Sequence, residues 1–409
     1  MSAEIITFGC RLNAYESEVI RSHAAALENT VIVNTCAVTA EAERQARQAI
    51  RRIVRTRPGT QVIATGCAVQ LNPARWSALP GVSRVVGNAE KLRAETWAAD
   101  TSVGRRDLTV LREEPPQLIT EFGGRARAFV QIQQGCDHRC TFCTIPFARG
   151  PSRSLSLARI IEQTQLLVAR GFQEVVLTGV DLTSYGLDLP DQPRLGQMVR
   201  RLLAEVPELP RLRLSSLDPA EIDEDLWRVI AEEPRLMPHV HLSLQAGSDL
   251  ILKRMKRRHS TATAKEAITR ARLLRPGIAI GADLIAGFPT ETEALFRETF
   301  EFVQEMELPY LHVFPFSSRP GTPAARMPQV PPSERDRRAA LLRELGEAAR
   351  KRFFSAHIGR RVEILLESPE RGHTEHFCPV SLSSPRAAGT LVSALVSRAD
   401  AKGLTAEAS

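Results

Sequence analysis

Three segments of the chain, ITFGC, IVNTC and IATGC, repeat one pattern: an apolar, β-rich run that stops at a cysteine. Each is followed by helical spacing, as in NAYESEVIRSHAAAL, AEAERQARQAIRRIVRT and the short stretch NPARWSAL, and SRVVGN with a last helix completes the series. Strands alternating with helices over residues 1–99 predict a parallel α/β sheet. The carboxyl ends of such strands share one edge, where a crevice forms. Cys10, Cys36 and Cys67 therefore emerge together, and Gly9 and Gly66 let the backbone turn closely around a bulky group. A single such cysteine reads as a small buried hydrophobe. Three at the same station predict a three-thiolate metal cluster.

Residues 100–127 lose the periodicity, carry Gly, Pro and charge, and read as a linker. From residue 128 the alternation restarts with AFVQIQQ, QEVVLTGV, RLRLSS, HVHLSLQ, IAIGADLIAG and YLHVFPF. Six strands with crossover helices over 128–333 predict a partial (β/α)6 barrel, with its chemistry at the carboxyl ends of the strands. The first helix repeats apolar residues at 157, 160, 161, 167 and 168, and Gly171 is placed to end it. A charged helix with an apolar stripe spans 334–358. Short β runs between turn residues over 359–409 predict a small β-barrel, with Cys378 in its core.

Directly after the first barrel strand, GCDHRCTFC places Cys136, Cys140 and Cys143 in C-x3-C-x2-C spacing. A zinc site would need a fourth ligand. His138 is nearest, but it lies between the thiols and reads as a loop surface residue. A cubane iron–sulfur cluster held by three thiolates keeps one iron open, which a small molecule with an amine and a carboxylate can chelate.

Seven cysteines, no leader-like N-terminus and no apolar run near the roughly 18 residues of a membrane span suggest a reducing, cytosolic setting without structural disulfides or membrane contact. The net charge of +7, supplied mostly by arginine, suits a polyanionic partner. Arg44, Arg47, Arg51 and Arg55 share one helix face, and LKRMKRRH at 252–259 adds a second basic run, both expected to touch RNA.

The C-x3-C-x2-C loop after the first strand of a six-strand barrel resembles the radical S-adenosylmethionine superfamily. That resemblance implies S-adenosylmethionine on the open iron and cleavage to methionine and a 5′-deoxyadenosyl radical. It implies cofactor contacts at Phe142, Thr178, Gly179, Ser215, Ser216 and Gln245. With FGCRLNAYESE, VIVNTCAVT, TGCA, QGCDHRCTFCTIPFARG, LSLQAGSD, LIAGFPTET and GHTEHFCPV, nearly the whole chain resembles the methylthiotransferase family. That family has an N-terminal three-cysteine domain, a radical barrel and a C-terminal TRAM domain. The resemblance implies two [4Fe-4S] clusters, two S-adenosylmethionine per turnover, a tRNA substrate, an electron donor such as flavodoxin or ferredoxin, and a sulfur source. LTGVDLTSYG is most similar to the branch acting on N6-threonylcarbamoyladenosine at tRNA position 37. The isopentenyladenosine branch, a ribosomal-protein aspartate branch and a non-catalytic metal-containing RNA-binding protein are the alternatives.

Overall fold

The computed structural model describes residues 3–98, 108 and 118–408. Strands β1 (Glu4–Thr7), β2 (Thr30–Thr35), β3 (Gln61–Gly66) and β4 (Val82–Val86) form one sheet in that order, every pair parallel. Helices α1 (Arg11–His23), α2 (Ala40–Thr56), α3 (Cys67–Leu71) and α4 (Pro73–Ser77) connect them. Thr39 caps α2 by accepting from the Ala42 amide, and Asn72 caps α4 ahead of Pro73. Helix α2 buries Ala46, Ile50 and Ile53 against Val31, Val33, Val62 and Trp76, so its arginines point away from the core. The last helix expected here is instead two 3-10 turns, Glu90–Leu92 and Ala94–Trp97. Trp97 and Lys91 are both buried there, and the indole donates to the Lys91 carbonyl, so tertiary contacts override helical continuation.

The linker expectation over 100–127 falls mostly outside the described residues. Its described end is docked: Ile119 exchanges two hydrogen bonds of 2.7 Å with Gln163, and Phe122 meets Phe129 and Phe172 edge to face.

The central domain follows the expected alternation, with one refinement. AFVQIQQ divides into β5 (Arg127–Gln131) and β6 (Gln133–Gln134), and β6 pairs antiparallel with β7 (Arg153–Ser154). Helix α5 (Ile145–Arg149) lies between β6 and β7, and α6 (Leu157–Ala169) follows. Gly171, at φ +89°, succeeds the α6 cap as expected. Then come β8 (Glu174–Thr178), α7 (Leu195–Glu205), β9 (Arg211–Leu214), α8 (Glu224–Glu232), β10 (His239–Gln245), α9 (Asp249–Met255) and α10 (Thr261–Leu274). The domain ends with β11 (Ala279–Ala286), α11 (Glu293–Met306) and β12 (Tyr310–Pro315). Two parallel sheets, β5-β8-β9 and β10-β11-β12, meet through single bridges at Leu212/Leu236 and Leu217/Leu242. Along β10 the apolar Val240, Leu242 and Leu244 join the main core. His239, His241 and Ser243 alternate with them and line the lumen.

Helix α12 (Pro332–Ser355) leads to a closed barrel of β13 (Arg361–Ser368), β14 (Arg371–Thr374), β15 (Pro379–Leu382), β16 (Leu391–Ala399) and β17 (Leu404–Ala408). Cys378 is fully buried in its core, as expected, and receives the Tyr310 hydroxyl at 3.4 Å. This small barrel docks on the amino ends of the large barrel's strands, opposite the cysteine loop. Glu174 binds Arg127 and Arg213 at 2.9 Å each, Arg127 continues to Glu367, and Arg211 continues to Glu363. Phe377 lies under the guanidiniums of both Arg127 and Arg213 at 5.0 Å.

Candidate functional site

The loop carrying Cys136, Cys140 and Cys143 is fixed from several sides. Gly135 has φ +73°, and a Cβ there would lie 1.9 Å from the Pro151 carbonyl oxygen, so only glycine fits. The Cys136 amide donates to Gly150, and the Thr141 amide and hydroxyl donate to Met255 and Arg254 at the end of α9. Gln133 ties this loop to the next one. Its Nε2 donates to the Gln134 and Gly135 carbonyls and to Ser152, while its Oε1 accepts from the amides of Val180 and Asp181. The sulfurs receive N–H donors: Ile145 at 3.4 Å to Cys143, and Arg257 at 3.6 Å to Cys140. Arg257 is itself held by Asp218 at 2.7 Å.

His138 departs from the expected surface position. Its side chain is nearly buried, with Nε2 3.0 Å from Asp181, and that hydrogen bond raises its pKa. The loop folds over β8, which brings the imidazole onto the carboxylate rather than into solvent.

On the other sheet edge, Cys10 is the N-cap of α1, Cys36 follows β2, and Cys67 opens α3. Two of the three thus stand at helix N-termini. Gly9, at φ +96°, has no room for a Cβ, which would meet Cys36 Sγ at 2.6 Å. Asn13 joins two of these loops by donating to the carbonyls of Phe8 and Thr35. Asn88 donates to Cys67 Sγ at 3.6 Å and to the Ala148 carbonyl at 2.7 Å, joining this edge to α5.

Burial pushes the Cys36 thiol up to about 12, with Cys67 and Cys10 adding to the rise. Burial likewise lifts Cys143 to about 11 and, with the Asp181 carboxylate, raises Cys136. Ligation requires the thiolate, so a metal held here would have to displace these protons. Among the described residues, neither triplet brings its three sulfurs within 4.8 Å of one another. Ligands about 2.3 Å from a single zinc ion would be closer than that, so neither triplet is closed around one zinc ion.

The two triplets face each other. Cys143 lies within electrostatic reach of Cys67, and the buried Arg149 feels both Cys67 and Cys10. Burial works against the Arg149 charge, but Cys67, Glu16 and Cys10 outweigh it. Arg149 binds Glu16 at 2.8 and 3.1 Å, Asn13 at 2.6 Å and Gln134 at 2.8 Å, and Glu16 also holds Lys91 at 2.6 Å. The N-terminal domain also spans the open side of the barrel. Helix α1 packs on β5, while the Ala40 amide donates to Ser317 and Glu43 pairs with Arg319 just beyond β12.

The other expected site residues lie at the same mouth. Thr178 ends β8, and Gly179 packs on Gln133. Ser215 follows β9 with a buried hydroxyl that lacks a protein partner, and Ser216 is its neighbour. Gln245 ends β10 at a register shift with φ +71°, a strained backbone of the kind stored at functional sites. Phe142 packs against Phe288 beside Met255. On α2, Arg51 and Arg55 are exposed, Arg44 pairs with Glu41, and Arg47 is half-buried against Glu43. The basic run 252–259 divides: Arg257 and His259 turn inward toward Asp218, while Arg258 pairs with Glu221. Sequence reading missed Gln133, Arg149, Asn88 and Arg257. Each lay within a quoted stretch (Gln133 in AFVQIQQ, Asn88 in SRVVGN, Arg149 in QGCDHRCTFCTIPFARG, Arg257 in the basic run 252–259), but nothing local marked its distant partner.

Residues 130–303 match the Radical SAM superfamily, and residues 2–87 match the family described as Uncharacterized protein family UPF0004. Threonylcarbamoyladenosine tRNA methylthiotransferase MtaB of Rickettsia prowazekii (strain Madrid E) is 50% identical over 394 residues, 96% of this chain and 94% of that protein. The chain belongs to the methylthiotransferase family of radical SAM enzymes. The relative of the same description from Aquifex aeolicus (strain VF5) is 34% identical, covering 97% of this chain and 100% of that protein. A tRNA-2-methylthio-N(6)-dimethylallyladenosine synthase of Roseobacter denitrificans (strain ATCC 33942 / OCh 114) is 31% identical over 90% of this chain and 88% of that one. The solved radical S-adenosylmethionine methyltransferase TsrM from Kitasatospora setae shares the fold, with TM-score 0.55 and 17% identity over 77% of this chain and 69% of that chain. No helix among the described residues is long and apolar enough to cross a membrane.

Proposed function

We propose that this family member converts N6-threonylcarbamoyladenosine at position 37 of tRNA to its 2-methylthio derivative. The observation that carries the reading is the opposition of two cysteine triplets, with Cys143 within reach of Cys67 and Asn88 spanning the gap. Relatives described as acting on threonylcarbamoyladenosine match over nearly their whole length, at 50% and 34% identity. With Cys136, Cys140 and Cys143 holding a [4Fe-4S] cluster and Cys10, Cys36 and Cys67 a second, the bound groups supply radical generation from S-adenosylmethionine on one side and sulfur on the other.

The remaining work belongs to the chain. Gln133 sets the Gly135 and Val180 loops at the spacing the cofactor needs. Thr178, Gly179, Ser215, Ser216 and Gln245 offer polar contacts to its methionine end, and Phe142 offers its ring to the adenine. The N-terminal domain across the barrel's open side excludes water, which protects a reactive species from quenching. Residues 1–99 serve as the auxiliary-cluster unit, 128–333 as the radical core, and 359–409, joined through 334–358, as the RNA-contact unit. Arg44, Arg47, Arg51 and Arg55 add phosphate contacts. An electron donor such as flavodoxin or ferredoxin and a sulfur source complete the partners, in the cytoplasm.

Anaerobic reconstitution with tRNA bearing the unthiolated nucleoside tests the reading. Appearance of the 2-methylthio product supports it. Turnover of the isopentenyl analogue alone reassigns the branch.

A further inference from the structure

The basic run at the end of α9 divides its cations. Lys253 and Lys256 stay exposed, whereas Arg257 keeps 9% of its side chain in solvent. The backbone makes the difference. Lys256 takes the left-handed conformation at φ +57°, and the Arg257 amide returns to the Leu252 carbonyl at 2.9 Å, a helix end that turns the next side chain inward. There Nη2 donates to Asp218 Oδ2 at 2.7 Å and to the Ser243 carbonyl at 2.8 Å. Nη1 donates to Cys140 Sγ at 3.6 Å, and Nε is buried without a protein partner.

A buried ion pair is weak evidence for stability, because desolvation offsets most of its attraction. This one has a sulfur as its third member. Among the described residues, Arg257 is the only cation hydrogen-bonded to a cysteine sulfur. Cys143 receives the Ile145 amide, Cys36 the Val38 amide and Cys67 the Asn88 side chain. The other charges around the loop are spent elsewhere. Asp181, 3.8 Å from Cys136 Sγ, is matched with His138, and Glu221 with Arg258. Arg254 donates to the Thr290 carbonyl, and Arg149 to Glu16, Asn13 and Gln134. Arg139, Lys253 and Lys256 are exposed, where water and salt screen them. Asp218 stands with His259 Nδ1 at 3.6 Å on its far side.

We propose that Arg257, tempered by Asp218, sets the reduction potential of the iron–sulfur group held by Cys136, Cys140 and Cys143. This rests on the assignment of that group above and deepens it. Hydrogen bonds to the sulfurs and local net charge are the means by which a protein moves such a potential. An electron arriving from the electron donor adds negative charge at the sulfurs. A fixed guanidinium favours that state, and the Asp218 carboxylate opposes it. Arg257 stays charged before and after the electron arrives. It acts through Cys140 rather than on a substrate, and is a positioning residue.

The test is a redox titration of the anaerobically reconstituted full chain, without S-adenosylmethionine, followed by electron paramagnetic resonance. A background of Cys10→Ala, Cys36→Ala and Cys67→Ala leaves one signal to follow, and the intact holoenzyme is titrated alongside. Arg257→Met is expected to lower the midpoint. At a fixed potential its ratio of reduced to oxidised protein drops about 10-fold, a shift of about 59 mV for one electron. Arg257→Lys keeps the charge without the planar fork and is expected to fall less. Asp218→Asn is expected to move the midpoint upward. A variant that only loosened the loop would admit water, which favours the more highly charged reduced state and raises the potential. The direction of the shift therefore separates tuning from loss of structure. Iron and sulfide content reports the loading of each variant. If Arg257→Met does not load, Arg257→Lys and Asp218→Asn must still shift in opposite directions. An unmoved or raised midpoint in the Arg257 variants, or a fall in Asp218→Asn, overturns the proposal and leaves the iron–sulfur assignment standing. A wild-type chain that takes up no iron and shows no signal sinks that assignment itself.

Discussion

Arg149 and Glu16 form a two-point ion pair, Nη1–Oε1 at 2.8 Å and Nη2–Oε2 at 3.1 Å, buried on both sides. One residue belongs to the barrel's cysteine loop region and the other to the first N-terminal helix, so this pair sets how the two cysteine triplets face each other. Removing one partner leaves a buried charge alone, which costs about 3–5 kcal/mol. Arg149→Met and Glu16→Gln are each expected to lower unfolding stability by about that much. The double variant is expected to lose less than the sum, in a double-mutant cycle by urea titration.

The same pair fixes a pH dependence. Burial alone would raise the Glu16 pKa, but Arg149 and Lys91 bring it from 4.5 down to about 2. A carboxylate depressed by folding stabilises the native state above its unfolded value and loses that contribution as pH falls through the folded one. The Arg149–Glu16 contribution is therefore complete above about pH 4.5 and fades toward pH 2. Urea midpoints across that window are expected to fall more steeply for the wild type than for Glu16→Gln.

Gly9→Ala is expected to disrupt the N-terminal site selectively. Its Cβ would meet Cys36 Sγ and Cβ at 2.6 Å on a backbone at φ +96°. If each triplet holds a four-iron cluster, iron bound after anaerobic reconstitution drops by about half. A Cys136→Ala/Cys140→Ala/Cys143→Ala variant is expected to lose the other half, and iron analysis of both checks the assignment.

Glu174 gathers Arg127, Arg211 and Arg213 at the base of the barrel, and all three continue to the small C-terminal barrel, Arg127 and Arg211 through carboxylates and Arg213 through the Thr374 and Glu375 carbonyls. Glu174→Gln leaves three guanidiniums short of their counter-charge, at a cost of about 3–5 kcal/mol. Limited proteolysis is expected to cut between the large and small barrels faster in this variant.

Among the described residues, Arg51 and Arg55 on α2 make no ion pair, whereas Arg44 spends its fork on Glu41. Arg51→Glu and Arg55→Glu are expected to weaken tRNA binding by about 5-fold each, the weight of about 1 kcal/mol. Each is expected to flatten the slope of log K against log salt by about 0.9 for every phosphate left without its arginine, while Arg44→Glu changes it less. Filter binding across salt concentrations checks the ranking.

The placement of Cys10, Cys36 and Cys67 was legible because each follows a strand, and that of Cys136, Cys140 and Cys143 because their close spacing follows the first barrel strand; both are local signals. What joins the two edges was not. Asn88 reaches Ala148 across 60 residues and Arg149 reaches Glu16 across 133, distances over which no pattern in the chain speaks. His138 was misplaced for the same reason, since Asp181 is distant in sequence and only folding brings it under the ring. The expected helix after β4 gave way to two short turns because burial of Trp97 and Lys91 outweighs local propensity.

Mass spectrometry of tRNA nucleosides from cells with and without the gene tests the central claim most directly. Loss of 2-methylthio-N6-threonylcarbamoyladenosine with accumulation of its unthiolated precursor is the predicted result. Unchanged levels of that nucleoside, or loss of the isopentenyl analogue in its place, would contradict it.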